Sequence, residues 1–434
     1  MKRVLLITSV FPPEGGGGIR RVYAYAKYLP ENGWEPVVLT PLRQHLNFPE
    51  YGYGITCGNL CDVERPRWLD IQSLIYRLEE NLPSGRPAGP TDTLSPFIKP
   101  HKTGLYAWVR KWFLVPDEFV SWLLTALKRG RKMIKELNVN AIISIGPSHS
   151  THLLAYNFAK KSHIPWIADF KDPWTTNCFL KFPSSFHRAI NCTLEKKVLE
   201  KCTMALTVSQ AIGQDLMKIN PRLHMEVLPN GFDPENFSGL QDCRRHGIPL
   251  RVIHAGALYG KRTPRPFLEA LCYLRDRGIT HQEVKVTFLG AAEQATRKAV
   301  EFFELADFVN IQGHVPHNKA IDALNAHDIY LLLPGPGKGT ITGKIFEYLA
   351  FKRPILCVGG MGGDLESLLL EVGANYPYNE NDTEGIGKKL FSWVQQKKKG
   401  ELIECRMDQS RLSVFDRKEQ VNRLAGWLNN LCTN

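Results

Sequence analysis

Residues 339–354, which read GTITGKIFEYLAFKRP, join a glycine and threonine loop directly to an amphipathic helix. The first turn of a helix has unpaired backbone N–H groups and a partial positive charge, so a diphosphate bound there gains hydrogen bonds and a favourable field. Lys344 opposes the helix dipole unless an anion binds beside it, and Glu347 can accept hydrogen bonds from two ribose hydroxyls. The segment indicates a nucleoside diphosphate site. The alternative is a capped surface helix with core anchors at Ile345, Phe346 and Leu349.

Two other segments could approach an anion. Lys261 and Arg262 follow the apolar run 251–256 and a tight turn, which places two cations just beyond a predicted strand. Four glycines at residues 15–18 follow the first apolar run, and their backbone can approach a phosphate or an acceptor without a Cβ clash. The alternative for Lys261 and Arg262 is that they are surface charges on a loop. The alternative for the four glycines is a turn that is merely flexible.

The first half of the chain alternates apolar runs with helical patterns. Predicted strands are residues 4–11, 36–40, 141–145, 165–170 and 204–209. Strands that alternate with helices predict a parallel, doubly wound sheet. Residues 41–100 form a long irregular insert rich in proline and glycine, of the kind that is usually functional or disordered.

The pattern restarts after a turn-rich linker at residues 230–237. Predicted strands of the second half are residues 251–256, 284–290, 309–315, 329–334 and 354–360. We therefore expect an α/β protein with a first domain at 1–235, a second at 236–415, and a final helical segment at 416–434 that packs across the domains. Open parallel sheets bind ligands at the carboxyl ends of their strands, so the expected site is the cleft between the domains.

The formal net charge of +12 favours anionic partners such as acidic lipids or phosphorylated substrates. Nucleic acid is not expected, because no recognised binding motif accompanies the charge. Residues 99–135 contain nine Lys or Arg and two acidic residues interleaved with aromatics. That mixture suits an anionic membrane surface, and the alternative is an aromatic core under a solvated basic face.

The chain is expected to be cytoplasmic, with peripheral association at the inner face of the cell membrane. No apolar run approaches the roughly 18 residues of a membrane span, and the first residues are not a convincing signal peptide. The ten cysteines are scattered without a metal-binding pattern, so we expect free, mostly buried thiols.

Seven motifs in this order carry a resemblance that covers nearly the whole chain: ITSVFPPEGGGGIRRVYAYAKYLPENGW, SHSTHL, DFKDPW, LTVSQ, LPNGFD, HAGALYGKRTP and TGKIFEYLAFKRPIL. The chain resembles the retaining nucleotide-sugar glycosyltransferases of family four, which have the GT-B fold. Within that family it is similar to a subgroup with a DxRDPW-like segment, whose members commonly build bacterial surface polysaccharides.

The resemblance implies two Rossmann-like domains facing a central cleft and a hexosyltransferase-type activity. The donor would be a nucleotide-diphosphate sugar, the acceptor a sugar or a lipid-linked molecule, and no metal or other cofactor would be needed. A basic pair at the position of Lys261 and Arg262 would hold the donor diphosphate and stabilise the leaving group. The donor-binding residues implied by the resemblance are Gly17, Gly18, Arg262, Thr340, Thr342, Gly343, Lys344 and Glu347.

Asp169 and Asp172 complete the catalytic candidates with Lys261. Each aspartate lies at a predicted strand end, where it could bond an acceptor hydroxyl or stabilise positive charge at the anomeric carbon. The alternatives are an internal salt bridge of Asp169 and a turn cap by Asp172. His149 and His152 are weaker candidates, with structural roles favoured.

The chain departs from the family at two positions. Gly339 stands where the family often has a glutamate near the transferred sugar, and Lys171 stands where many relatives have histidine. These departures leave open a catalytically silent module that binds nucleotide sugar or lipid. A nucleotide-sugar epimerase or hydrolase of the same architecture would need acid and base groups that Gly339 does not supply. The sugar, base, acceptor and oligomeric state are not encoded in these motifs.

Overall fold

A computed structural model describes residues 1–13, 18–42, 60–71, 74, 105–177, 180–258, 262–334, 341, 343–373, 375–405 and 407–433. The side chains of residues 105–107, 375 and 409 are outside the description. Most of the predicted insert at 41–100 therefore lies outside the described residues, as do Gly17, Lys261, Gly339, Thr340 and Thr342. The chain divides into two compact units: the described residues up to Asn230 with Arg417–Asn434, and Gly231–Asp416.

Seven parallel strands form the sheet of the first unit, in the order β3-β2-β1-β4-β5-β6-β7. They are β1 (Lys2–Thr8), β2 (Trp34–Leu39), β3 (Asp62–Glu64), β4 (Val139–Ile145), β5 (Trp166–Phe170), β6 (Met204–Thr207) and β7 (Met225–Val227). In the central strand β1, Leu6 pairs with Val38 on one side and Ile143 on the other. The edge strands β3 and β7 were not predicted. Each has only three residues, too few to show an apolar period.

Helices cover both faces of this sheet, which explains why β1 is continuously apolar from Val4 to Ile7. They are α1 (Ile19–Tyr28), α2 (Leu105–Phe113), α3 (Leu123–Glu136), α4 (Ser150–Ser162), α5 (Ser185–Lys201), α6 (Gln210–Ile219) and the last helix of the chain, α14 (Arg417–Thr433). Leu5 and Ile7 belong to the core on one face, and Val4 and Leu6 to the core on the other. Close packing fixes α3 against α4, because a Cβ at Gly130 would lie 2.3 Å from the Phe158 ring.

The last helix is part of the first unit. Val421, Leu424 and Leu428 are fully buried in the same core as Val4 and Tyr25. Polar contacts add to this packing, since Trp34 Nε1 donates to Asn429 Oδ1 at 3.2 Å and Gln420 Nε2 donates to the Pro229 carbonyl at 3.1 Å. The chain thus returns from the second unit to complete the core of the first, and α14 packs in that unit. The N-terminal part of the first unit ends at Asn230, whereas the predicted first domain ended at residue 235.

Six parallel strands form the sheet of the second unit, in the order β10-β9-β8-β11-β12-β13. They are β8 (Leu250–Ala255), β9 (Val284–Leu289), β10 (Val309–Gln312), β11 (Ile329–Leu332), β12 (Ile355–Val358) and β13 (Asn375–Tyr378). The helices are α7 (Arg265–Arg275), α8 (Gln294–Phe302), α9 (His317–Asn325), α10 (Lys344–Ala350), α11 (Asp364–Val372), α12 (Thr383–Lys398) and the short α13 (Gln409–Leu412). Strand β13 was not predicted, because its sequence NYPY contains a proline and it lies at the sheet edge, where proline is tolerated.

The composition led to expectations about the cysteines, the basic and aromatic segment at residues 99–135, and membrane-spanning helices. The eight described cysteines are free, but among them only Cys357 is buried, so the expectation of mostly buried thiols is wrong. In residues 105–135, Phe119 and Trp122 are core, whereas Trp108, Trp112 and Phe113 are exposed. The aromatic core given as the alternative is therefore present in part of the segment, and membrane association of the exposed part stays a prediction. Among the helices described, none is long and apolar enough to cross a membrane.

Candidate functional site

The centre of the second unit's candidate site is the carboxyl end of β8, where Lys344 crosses Gly256. Gly256 has a φ of +149°, and a Cβ built on it would lie 1.1 Å from Lys344 Nζ and 2.0 Å from Lys344 Cε. Only glycine leaves room for this lysine, so the two residues form one structural feature although they lie far apart in sequence. Gly343 and Lys344 begin α10, a short helix whose Ile345, Phe346 and Leu349 are buried in the core. The helix begins where it was predicted to begin, and its three apolar residues are core anchors, as the alternative interpretation of this segment proposed.

The pKa of a buried histidine, His254, reflects the positive charge at this strand end. His254 is the penultimate residue of β8, and its pKa is held well below the ordinary value by burial first and then by the positive charges of Lys344 and Arg262. Its Nδ1 lies 3.0 Å from the Leu331 carbonyl, which can only accept a hydrogen bond, so Nδ1 carries the proton of a neutral ring. Lys344 and Arg262 therefore act on the same end of β8. Two cations near one strand end are suited to an anionic ligand.

Glu347 is held by a residue that the sequence analysis did not single out. His317 Nε2 lies 2.9 Å from Glu347 Oε1, and the Glu347 side chain is 13% exposed. His317 begins α9, so this contact joins the starts of two helices, α9 and α10. An oriented and partly accessible carboxylate is the geometry needed to accept hydrogen bonds from a diol such as ribose.

In the first unit, Asp169 forms a buried structural ion pair with Arg21. Its carboxylate is 0% exposed and accepts hydrogen bonds from Arg21 Nε at 2.6 Å, Arg21 Nη2 at 2.9 Å and the Tyr25 hydroxyl at 2.8 Å. Arg21 also donates to the carbonyls of Leu228 and Pro229. Burial disfavours the Arg21 charge, but Asp169 and Tyr25 more than offset it, so the Arg21 pKa is above its ordinary value.

This geometry corrects the expected role of Asp169. A carboxylate that is fully buried and bonded to two side chains of α1 has no access to an acceptor, and the internal salt bridge given as the alternative is what is present. A buried bidentate pair of this kind fixes α1 against β5, because breaking it leaves an uncompensated charge in the core.

Asp172 and Lys171 lie just beyond β5, and both are partly exposed. Asp172 is half-buried and makes no hydrogen bond to another residue in the described part of the chain. Burial lowers the pKa of Lys171, and the charge of Asp172 partly opposes that effect, so the two side chains are neighbours. A Cβ at Gly18 would lie 3.8 Å from Lys171 Nζ. Lys171, Asp172 and the predicted donor-binding Gly18 therefore share one edge of the sheet.

Both candidate histidines of the first unit, His149 and His152, are buried and neutral. Burial lowers the pKa of His152 to about 3, and its Nδ1 lies 2.7 Å from Ser144 Oγ. Burial, with a smaller effect of His152, holds the pKa of His149 well below its ordinary value. His149 stacks flat on Trp174 with ring centroids 4.3 Å apart. Neither ring can serve as a charged group near neutral pH.

Of the predicted site residues, the structure brings Arg262, Gly343, Lys344 and Glu347 to one edge of the second sheet, and Gly18 and Asp172 to one edge of the first. The predicted roles of Gly17, Lys261, Thr340 and Thr342 remain predictions, since these residues lie outside the described part. Sequence reasoning missed Gly256 as the seat of Lys344, His317 as the partner of Glu347, and Arg21 as the partner of Asp169. The position of Gly256 after a strand was the one available signal.

Comparison with known proteins agrees with this architecture. Residues 15–236, slightly more than half of the chain, match the family described as Glycosyltransferase Family 4. The putative colanic acid biosynthesis glycosyltransferase WcaL of Escherichia coli K12 is 22% identical over 205 residues, which are 46% of this chain and 50% of that protein. The match thus spans about half the length of that relative.

Solved structures share the fold over the whole chain. Sucrose-phosphate synthase from Thermosynechococcus elongatus has a TM-score of 0.63 at 11% identity and covers 99% of both chains. The HepE protein of Anabaena, solved in complex with UDP, has a TM-score of 0.61 at 12% identity over 99% of this chain and 100% of that chain. With two parallel-sheet Rossmann-like units, the fold is that of the GT-B glycosyltransferases. On the family match, this chain belongs to Glycosyltransferase Family 4.

Proposed function

We propose that this protein transfers a hexose from a nucleotide-diphosphate sugar to a sugar or lipid-linked acceptor during synthesis of a bacterial surface polysaccharide, with retention of anomeric configuration. The observation that carries the proposal is Lys344 seated over Gly256 beside Arg262, with Glu347 held nearby by His317. Family membership and the naming of the relative WcaL for colanic acid synthesis support the same assignment.

Each of these residues has a chemical task in the proposed reaction. As the bond between the sugar and the diphosphate breaks, negative charge grows on the leaving diphosphate, and fixed cations stabilise that charge more than they stabilise the ground state. Lys344 and Arg262 supply this stabilisation, with Lys261 as a further predicted cation. Glu347 accepts from the ribose hydroxyls and so orients the donor. Asp172 is the accessible carboxylate proposed to act on the acceptor or on the positive charge of the sugar.

Turnover with a panel of donors tests this function. The purified chain is incubated with UDP-, GDP-, ADP- and dTDP-sugars, with and without candidate acceptors, and the product linkage is assigned by NMR. Acceptor-dependent release of the nucleotide with a retained anomeric configuration is the expected result. Nucleotide release that needs no acceptor would instead indicate a hydrolase, and binding without turnover would indicate a silent module. Inversion would contradict the retaining assignment alone.

We also propose that the protein associates with an anionic membrane through an aromatic surface made of Trp108, Trp112, Phe113 and Phe186. Phe113 is 64% exposed and Phe186 is 70% exposed, which is unusual for side chains of this size. These aromatics lie beside Arg110, Lys111 and Arg188, so apolar and cationic groups can engage lipid headgroups together. Each Lys or Arg near an anionic surface contributes about 1 kcal/mol of attraction.

Liposome flotation at low and high salt tests the membrane proposal. We expect the protein to float with vesicles that contain acidic lipid, and Phe113→Ser to weaken flotation. Phe302→Ser removes an aromatic that is 72% exposed in the second unit and serves as the matched control. Equal flotation of both variants, or none for the wild type at low salt, would leave these residues as a solvated face and favour a soluble acceptor.

A further inference from the structure

Tyr348 is a fully buried residue of α10 whose hydroxyl lies between two strands of the second sheet. Strand β8 lies between β9 and β11, and the chain order of the strands reverses between β8 and β11. The pairing of β8 with β9 continues to Ala255, whereas its pairing with β11 ends at Ile253. Among the described residues, the last two of β8 thus have a strand partner on the β9 side only.

Two side chains make hydrogen bonds on the side where the pairing with β11 has ended. The Ala255 N–H donates to the Tyr348 hydroxyl at 2.9 Å, and His254 Nδ1 donates to the Leu331 carbonyl at 3.0 Å. The Tyr348 hydroxyl donates to the same Leu331 carbonyl at 3.5 Å. Since a backbone N–H inside a sheet needs an acceptor, Tyr348 takes the place that a carbonyl of β11 would have beside Ala255.

This hydrogen bond holds the backbone next to the residue that Lys344 crosses. Gly256 follows Ala255 directly, and its N–H donates to the Leu289 carbonyl of β9 at 2.6 Å. One N–H of this strand end is therefore bonded to α10, through Tyr348, and the next is bonded to β9. The backbone at Gly256 is fixed from both sides.

Tyr348 and Lys344 lie on one face of α10, because residues four apart in a helix are neighbours on its surface. The ammonium of Lys344 lies so close to Gly256 that a Cβ there would be 1.1 Å from Nζ. A small shift of α10 relative to β8 would therefore change where the ammonium lies. The hydroxyl that joins this face of α10 to Ala255 sets the position of Lys344 over Gly256.

The apolar contacts of α10 do not supply the same precision. Ile345 and Leu349 are fully buried in the core, but the hydrophobic effect that holds them there is not directional. A hydrogen bond has a preferred distance and angle. The Tyr348 hydroxyl thus adds a directional constraint to a helix that packing alone would hold less strictly.

We propose that the Tyr348 hydroxyl is a positioning group of the donor site, which holds α10 at the end of β8 so that Lys344 Nζ lies where the donor diphosphate binds. The inference rests on the proposed function, since it deepens the account of the same site. Tyr348 is 0% exposed, so it acts through Lys344 and is not itself a contact of the nucleotide.

Tyr348→Phe removes only the hydroxyl, and Tyr330→Phe is its matched control. Tyr330 is also 0% exposed, and its ring lies 4.8 Å from that of Tyr348. Its hydroxyl donates to the Leu324 carbonyl at 3.1 Å, away from Ala255. Each variant loses one buried hydroxyl from the same core, so both are expected to lower the midpoint of urea denaturation. Nucleotide affinity and the position of Lys344 distinguish them.

A double-mutant cycle measured by calorimetry tests whether Tyr348 acts through Lys344. The ligand is whichever of UDP, GDP, ADP and dTDP most raises the melting temperature of the wild type. Tyr348→Phe is expected to weaken its binding about fivefold in the wild type but less than about twofold in Lys344→Ala, where the positioned lysine is absent. Tyr330→Phe should change the affinity less than about twofold in either background. An equal loss from Tyr348→Phe in both backgrounds, or none in the wild type, would overturn the proposal.

Crystal structures of the wild type and both variants, without nucleotide, separate this inference from the proposed function. Lys344 Nζ is expected to leave its place over Gly256 in Tyr348→Phe and to keep it in Tyr330→Phe. A lysine that stays in place in Tyr348→Phe would overturn the positioning role, even if nucleotide binding depends on Lys344. If the lysine moves as expected but the wild type binds no nucleotide, Tyr348 does position Lys344 and the donor assignment fails.

Discussion

The two units differ in the charge that they place at the carboxyl ends of their central strands. In the first unit, Asp169 is neutralised within the core by Arg21, and the histidines of the following loop are neutral. In the second unit, a positive-φ glycine makes room for a lysine, and the buried His254 carries no charge that would compete with it. The strand end thus carries a buried, neutralised ion pair in the first unit and a lysine seated over a glycine in the second.

This contrast separates structural from functional candidates among the ionisable residues at strand ends. An ionisable group at a strand end is a weak indicator by itself, because Asp169 satisfies that criterion and is wholly buried. A group whose position requires a glycine beneath it, as Lys344 requires Gly256, is held at the edge by the backbone. Substitutions can test this contrast in both units. One kind breaks the Arg21–Asp169 ion pair of the first unit, and the other displaces Lys344 in the second.

The largest effect is expected from Asp169→Asn. Removing the negative charge leaves Arg21 buried and uncompensated, which costs about 3–5 kcal/mol of unfolding free energy. Urea denaturation of the full chain measures this loss. Glu35→Gln is the control, because Glu35 pairs with Arg3 at 2.8 Å but both side chains are more than a third exposed, and such pairs contribute about 1 kcal/mol or less. Similar stabilities of the two variants would contradict the structural role of Asp169.

Gly256→Ala is expected to have the next largest effect, on ligand binding. The new Cβ would overlap Lys344 Nζ, so the lysine must move, and the φ of +149° is unfavourable for alanine. We expect nucleoside diphosphate affinity to fall by about 100-fold, or about 2.7 kcal/mol. Gly278→Ala places alanine at a φ of +77° with nothing within 4 Å, and so isolates backbone strain from the clash. Equal losses in the two variants would remove Lys344 from the explanation.

A smaller effect is expected when Glu347 loses its partner. His317→Ala leaves the carboxylate in place but less well oriented, so affinity for a nucleoside diphosphate should fall by about tenfold, or about 1.4 kcal/mol. The matching 2′,3′-dideoxynucleotide should bind wild type and His317→Ala equally, because it lacks the hydroxyls that Glu347 is proposed to hold. If both nucleotides lose the same affinity, His317 acts on something other than ribose contacts.

The smallest effect concerns pH. The folded-state pKa of His152 lies near 3, below its ordinary value of 6.5, so the unfolded chain binds the proton more tightly. The stability from a neutral His152 is therefore complete above pH 6.5 and is lost as pH falls from 6.5 toward 3. Between pH 7.5 and 6.0 the unfolding free energy should drop by about 0.8 kcal/mol for this residue. In urea denaturation, the unfolding free energy of His152→Phe should depend less steeply on pH than that of the wild type. The exposed His224→Ala should keep the pH dependence of the wild type.

The sequence was sufficient to predict the architecture and to name part of the candidate site. Long apolar runs such as residues 4–11 and 329–334 identified the central strands, because strands buried on both faces need nearly continuous apolar sequence. The edge strands β3, β7 and β13 escaped detection, since three or four residues at an edge carry little pattern. Lys344 and Glu347 could be named as candidates because both lie in one short motif.

What could not be predicted depended on residues that are distant in sequence. Arg21 and Asp169 are 148 residues apart, and no local pattern identifies either as the other's partner. Gly256 and Lys344 meet only because β8 and α10 are placed side by side by the sheet order, and His317 reaches Glu347 across two helix starts. Burial decided the role of Asp169, and the sequence alone left its two alternatives open.

The most direct test of the account is a calorimetric titration with the nucleoside diphosphate that most raises the melting temperature in a panel of UDP, GDP, ADP and dTDP. Wild type, Lys344→Ala and Lys298→Ala are compared, because Lys298 is an exposed lysine of α8 and its loss changes the net charge equally. The account predicts at least tenfold weaker binding for Lys344→Ala and an unchanged affinity for Lys298→Ala. Equal binding by wild type and Lys344→Ala would contradict it.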